Sequence, residues 1–70
     1  MAGPVPAHVW VRRGGWEGAP EDPGLLVAWE RRGVEWWGLV AMVTDGEPGL
    51  FSIRADRLRP VNPGPVAPSQ

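Results

Sequence analysis

Glu35-Trp36-Trp37-Gly38-Leu39-Val40-Ala41-Met42-Val43-Thr44 is the longest apolar run of the chain, and Asp45-Gly46 closes it with a turn signal. Val40, Val43 and Thr44 are β-branched and Trp36 and Trp37 are aromatic, residues that suit a pleated, half-buried surface. Its only charge is Glu35, at the start. Wound as a helix, the run would be apolar all round, which a chain this short has no means to bury. Extended, it puts Trp37, Leu39, Ala41 and Val43 on one face and Trp36, Gly38, Val40 and Met42 on the other. Both faces are apolar, so the strand is expected to be central and covered on both sides for part of its length. Gly38 marks a bend or a close crossing, the feature a small barrel needs in order to close.

Working outward, the neighbours read as short strands. His8-Val9-Trp10-Val11-Arg12 alternates, with Val9 and Val11 facing one way and His8, Trp10 and Arg12 the other. Leu25-Leu26-Val27-Ala28-Trp29-Glu30 reads as a second strand with Leu25, Val27 and Trp29 on one face. Residues 13–24, holding Gly14, Gly15, Gly18, Pro20, Pro23 and Gly24, read as a long loop, a length often associated with function. Arg31-Arg32-Gly33-Val34 is a short polar hairpin connection and residues 45–49 are a turn. Leu50-Phe51-Ser52-Ile53-Arg54 alternates with Phe51 and Ile53 inward. Ala55-Asp56-Arg57-Leu58 suits one 3₁₀ turn, and Arg59-Pro60-Val61 a closing edge strand. The expected fold is therefore all-β: a small barrel of four to five short antiparallel strands spanning residues 7–61. Pro-rich tails at 1–6 and 62–70 are expected to be unstructured.

Composition narrows the function classes. Seventy residues make one domain with a small core, and without Cys there is no disulfide or thiolate metal site to support it. Five Trp must supply much of the burial. Seven Arg, no Lys and eight acids give a net charge of −1, which supplies no general drive toward nucleic acid or an anionic membrane. Neither a secretory signal nor a spanning apolar run is visible, so a cytoplasmic protein is expected. Arg without Lys, with abundant Gly, Pro and Ala, is the look of a GC-rich bacterial or phage genome. A single His, two serines outside any nucleophile motif and no phosphate-binding loop leave no catalytic set and no cofactor or metal site. A non-enzyme is expected.

Glu35-Trp36-Trp37-Gly38-Leu39-Val40 resembles the double-Trp strand of SH3 domains, and Gly49-Leu50-Phe51-Ser52 resembles their G-x-F-P segment. The long early loop matches their RT-type loop, and Ala55-Asp56-Arg57-Leu58 falls at their 3₁₀ turn. Trp37, Val40, Asp45, Gly46 and Leu58-Arg59-Pro60 are similar to the pattern of Tudor and Agenet-type barrels. The chain departs from SH3 peptide grooves in having no Tyr and in carrying Ser52 at the Pro position. The resemblance covers about residues 8–61 and implies an SH3-like barrel. It also implies a binding role in which Trp36 borders a groove, Trp16 flanks it, and Glu17, Glu21, Asp22 and Ser52 complete a surface for a protein or peptide partner. The alternatives are a nucleic-acid face built on Arg54, Arg57 and Arg59, and a structural role in a phage or transfer assembly. The C-terminal prolines also fit the spacing of a Pro-rich ligand.

Overall fold

A computed structural model describes residues 4–61 of the chain. The expectations for residues 1–3 and for the 62–70 tail lie outside the described residues. Five strands run in the order β1 (Ala7–Arg12), β2 (Glu21–Arg32), β3 (Glu35–Thr44), β4 (Glu47–Arg54) and β5 (Leu58–Pro60). A 3₁₀ turn, Ala55–Arg57, sits before the last. All pairings are antiparallel and make one sheet in the order β4-β3-β2-β1-β5. The fold is all-β, as the alternation of the sequence predicts. Among the described residues no helix is long and apolar enough to cross a membrane.

The double-Trp run forms β3 with the bounds read from sequence. Asp45 (φ 51°) and Gly46 (φ 78°) close the β3–β4 hairpin in the left-handed pair that a two-residue type I′ turn demands. In the two-residue β2–β3 turn only Gly33 (φ 63°), at the first position, takes a positive φ, the pattern of a type II′ turn.

The sheet curls over its own inner face. Val9, Val11, Leu26 and Val40 form the buried cluster, and Trp29, Met42, Ile53 and Leu58 pack against it. Leu58 belongs to edge strand β5, yet a Cβ placed on Gly38 of β3 would lie 2.7 Å from Leu58 Cδ1 and 2.6 Å from Leu26 Cδ1. Glycine at 38 is what allows β5 to fold down onto β3, which makes the sheet barrel-like. Phe51 and Ile53 lie on Val40's side of the sheet, opposite Val40 and Gly38. The second face of β3 is less covered than expected: Leu39 and Ala41 are half-buried, and Val43 is 59% exposed.

Two readings of β2 need correction. The strand begins at Glu21 and takes in Pro23 and Gly24, which shortens the loop to residues 13–20. Pairing with β3 starts only at Leu25, so at Pro23 β2 has β1 on one side alone and no ladder bond is lost. The face predicted from Leu25, Val27 and Trp29 is also broken. Leu26 opposes Val40 and Ala28 opposes Leu39, so Val27 is the extra residue of a β-bulge. Leu25 opposes Ala41 on the outer side, while Leu26 and Trp29 both face the core.

Candidate functional site

The β1–β2 loop is braced from within. Arg13 N–H donates to the Pro20 carbonyl at 2.8 Å and Ala19 N–H to the Trp16 carbonyl at 3.2 Å. The loop's buried residue is Ala19; Trp16 stands 60% exposed, its ring lying over Gly14 so that a side chain there would force the ring to shift. Glu17 is exposed beside it. The other two acids predicted for the loop, Glu21 and Asp22, lie instead at the start of β2 and are held by guanidinium forks. Arg13 Nε and Nη2 donate to the Asp22 carboxylate at 2.8 and 2.9 Å, and Arg59 Nε and Nη2 to Glu21 at 3.1 and 2.7 Å. These hydrogen bonds push both carboxyls below their ordinary values of 3.8 and 4.5.

A pH dependence follows from those two carboxyls. Lowered folded-state values mean that the pairs stabilise the fold above the ordinary carboxylate range, and that this is lost as pH falls through the folded values. A Glu21→Gln/Asp22→Asn variant is expected to be less stable than the wild type at pH 7. The two should melt alike in urea once the pH is low enough to protonate both carboxyls. A difference that persists in acid would assign the loss to packing rather than charge.

Trp36 meets Trp29 edge to face, with ring centroids 6.3 Å apart, and carries the Arg31 guanidinium 5.6 Å from its ring centre. Trp37, on the outer face, is covered by Arg32 at 4.5 Å, and Arg59 lies 6.0 Å from Trp10. These Arg–Trp stacks follow from register: Arg31 opposes Trp36 and Arg59 opposes Trp10. Sequence reading missed them because the pairing partners lie on different strands. The Trp37 indole N–H is buried without an acceptor, a cost of about 1–3 kcal/mol that must be offset by burial of its ring and the Arg32 stack.

The predicted basic residues are spread over three elements. Arg54 pairs with Glu35 at 3.0 Å and Asp56 at 3.6 Å, Arg57 bonds the Arg12 carbonyl, and Arg59 is taken by Glu21. Ser52 lies elsewhere, on the outer face of β4, where its Oγ accepts from Arg32 Nη2 at 3.2 Å. Among the described residues no three His, Asp or Glu side chains converge as metal ligands.

The outer face of β2–β3–β4 carries a contiguous apolar wall that the strand-by-strand reading did not single out. The pairings Leu25↔Ala41, Ala41↔Leu50, Leu39↔Ser52 and Val43↔Pro48 place these side chains together, with Leu50 62% exposed. Strand β4 is the rim of this wall, paired to β3 on one side only. The type I′ turn makes Thr44↔Glu47 a hydrogen-bonded pair, and the antiparallel ladder alternates from there. Pro48, Leu50, Ser52 and Arg54 therefore direct their backbone polar groups off the free edge, and Pro48 fits there because it has no N–H to give. No family model, no curated protein and no solved structure matches the chain.

Proposed function

We propose that this chain is an SH3-like small barrel acting as a non-catalytic interaction module in the cytoplasm, and that its partner is a protein that presents an extended segment. The strand order, the bulged second strand and the 3₁₀ turn before the last strand support the SH3-like reading. The observation that carries the binding reading is the eight-residue edge strand β4 with Leu50 and Val43 exposed beside it. An added strand satisfies the open N–H and C=O groups of Leu50, Ser52 and Arg54 while its alternate side chains cover the apolar wall. Of the partner-contact residues proposed from sequence, Ser52 belongs to this edge. Trp16 and Glu17 offer a second, smaller contact. Glu21, Asp22 and Trp36 are engaged within the fold and have less to give a partner. An extended nucleic-acid face draws less support, since Arg54 and Arg59 are neutralised by neighbouring carboxylates.

Peptides selected from a random library on the immobilised protein test this. Ser52→Pro removes a free-edge donor without touching the β3 ladder, and Leu50→Asp charges the wall. Both are expected to change stability by about 1 kcal/mol or less and to weaken the selected peptides about tenfold or more. Trp16→Ala is expected to leave them unchanged. Peptides lost with Trp16→Ala or Trp36→Ala but retained by Ser52→Pro would move the contact to the loop surface and overturn the edge assignment.

A further inference from the structure

A cleft of about 480 Å³ opens between the β1–β2 loop and the 3₁₀ turn, on a different part of the molecule from the β4 edge. Three guanidinium groups line it, Arg12, Arg57 and Arg59, together with the carboxylates Glu21 and Asp56. The three Arg are not equivalent. Arg59 is bound bidentately by Glu21. Arg12 and Arg57 make their bonds to the main chain. Arg12 Nη2 donates to the Asp56 carbonyl at 2.9 Å, and Arg57 Nε and Nη2 donate to the Arg12 carbonyl at 2.9 and 2.6 Å. Among the described residues neither forms a hydrogen bond or close ion pair with a carboxylate. The Asp56 carboxylate instead lies 3.6 Å from Arg54.

Two consequences follow. A guanidinium has five N–H donors, so these bonds fix each planar group in place and leave donors unspent. Glu21 is hydrogen-bonded by Arg59 and also attracts Arg12, its cross-strand neighbour, and Asp56 is shared with Arg54, so the three cleft Arg outnumber the two cleft acids and Arg57 carries the least compensated charge. A pair of oriented forks with surplus positive charge is the arrangement that takes a planar or tetrahedral oxyanion. The rim is open on the loop side, where a Cβ on Gly18 would meet nothing within 4 Å.

We infer that this cleft binds a single phosphate group, held by Arg12 and Arg57. The charge pattern favours a lone phosphate over a polyanion. The basic centre is flanked by Glu21 and Asp56, and an extended phosphodiester chain would have to run its next phosphates past those carboxylates. The Arg set proposed from sequence for nucleic acid was Arg54, Arg57 and Arg59; the cleft replaces Arg54 with Arg12.

The test is a titration of the ¹⁵N-labelled protein with inorganic phosphate, with sodium chloride at matched ionic strength as the control. Amide and guanidinium signals of Arg12, Gly18, Asp56 and Arg57 are expected to shift saturably with phosphate and not with chloride. Arg12→Gln is expected to weaken phosphate about tenfold with the spectrum otherwise intact, and Arg13→Gln, outside the cleft, to leave it unchanged. Gly18→Asp leaves every Arg side chain in place and sets a negative charge at the rim; its φ of 84° strains any non-Gly residue, Asp and Asn least, so Gly18→Asn carries the same strain without the charge. Gly18→Asp is expected to weaken phosphate relative to Gly18→Asn, which covers the case of Arg12→Gln failing to fold. The inference is overturned if shifts do not approach saturation by about 10 mM phosphate, which means a Kd well above roughly 1 mM. It is also overturned if neither Arg12→Gln nor Gly18→Asp weakens them, or if single-stranded DNA moves the same signals at far lower concentration than phosphate, which would mark a polyanion surface.

Discussion

Gly38→Val is expected to remove about 3 kcal/mol of stability, with Gly38→Ala near 1 kcal/mol. A Cβ at this position falls 2.6 Å from Leu26 Cδ1 and 2.7 Å from Leu58 Cδ1, inside the separation that two carbons tolerate. Both obstacles are ends of flexible side chains, so a single methyl group is accommodated by rotation. The γ-methyls of Val then have nowhere to go, because Trp29 and Ile53 occupy the same face on the flanking strands. A chain of 70 residues has about 4–10 kcal/mol of stability in total, so this one substitution removes a large share of it. Urea melts followed by Trp fluorescence measure the loss. Leu58→Ala is expected to be less harmful in the Gly38→Val background than in the wild type, with a coupling of about 1 kcal/mol. Additive effects would mean that β5 does not close over β3 at this point.

Gly38 was legible in the sequence as a bend or a close crossing because it interrupts an apolar strand, and which of the two it is depends on where β5 lies. The rest of β3 was legible for a related reason: ten residues with one charge have one way to be buried in a small chain. Asp45-Gly46 and the 3₁₀ turn carried local signals of their own. Strand β2 was less legible. Leu25-Leu26-Val27-Ala28-Trp29-Glu30 reads in either phase, and the bulge at Val27 brings no Gly or Pro to announce it. Pro23-Gly24 reads as loop because its tolerance depends on how many neighbours the strand has there, which is a property of the sheet.

The candidate sites divide along the same line. Exposed Trp16 and Glu17 could be named from composition and spacing. The forks from Arg13 to Asp22 and from Arg59 to Glu21, and the stacks of Arg31 on Trp36 and Arg32 on Trp37, join residues whose meeting is set by register. The outer wall is the clearest case. Val43 and Leu50 each read as one apolar residue at a strand end, and they become a surface only when β3 and β4 are aligned.

Leu26→Ala is expected to cost about 3 kcal/mol, while Leu25→Ala and Val27→Ala cost about 1 kcal/mol each or less. The ranking tests the bulge directly. Leu26 is 2% exposed, opposes fully buried Val40, and sits under Gly38, so its truncation leaves a cavity at the centre of a core that has few other buried side chains to collapse into it. Leu25 faces outward opposite Ala41, and Val27 is the unpaired residue of the bulge; both are half-buried and lose little neighbouring surface. A regular strand in the phase of Leu25, Val27 and Trp29 predicts the opposite order, with Leu25 and Val27 severe and Leu26 mild. The comparison is made among three aliphatic-to-Ala changes on consecutive residues of one strand, so differences in unfolded-state effects are small beside the expected gap. Finding Leu25 and Val27 severe would place the core on the other side of β2. The outer wall beside β4 would lose Leu25, and with it part of the surface proposed to receive a partner strand.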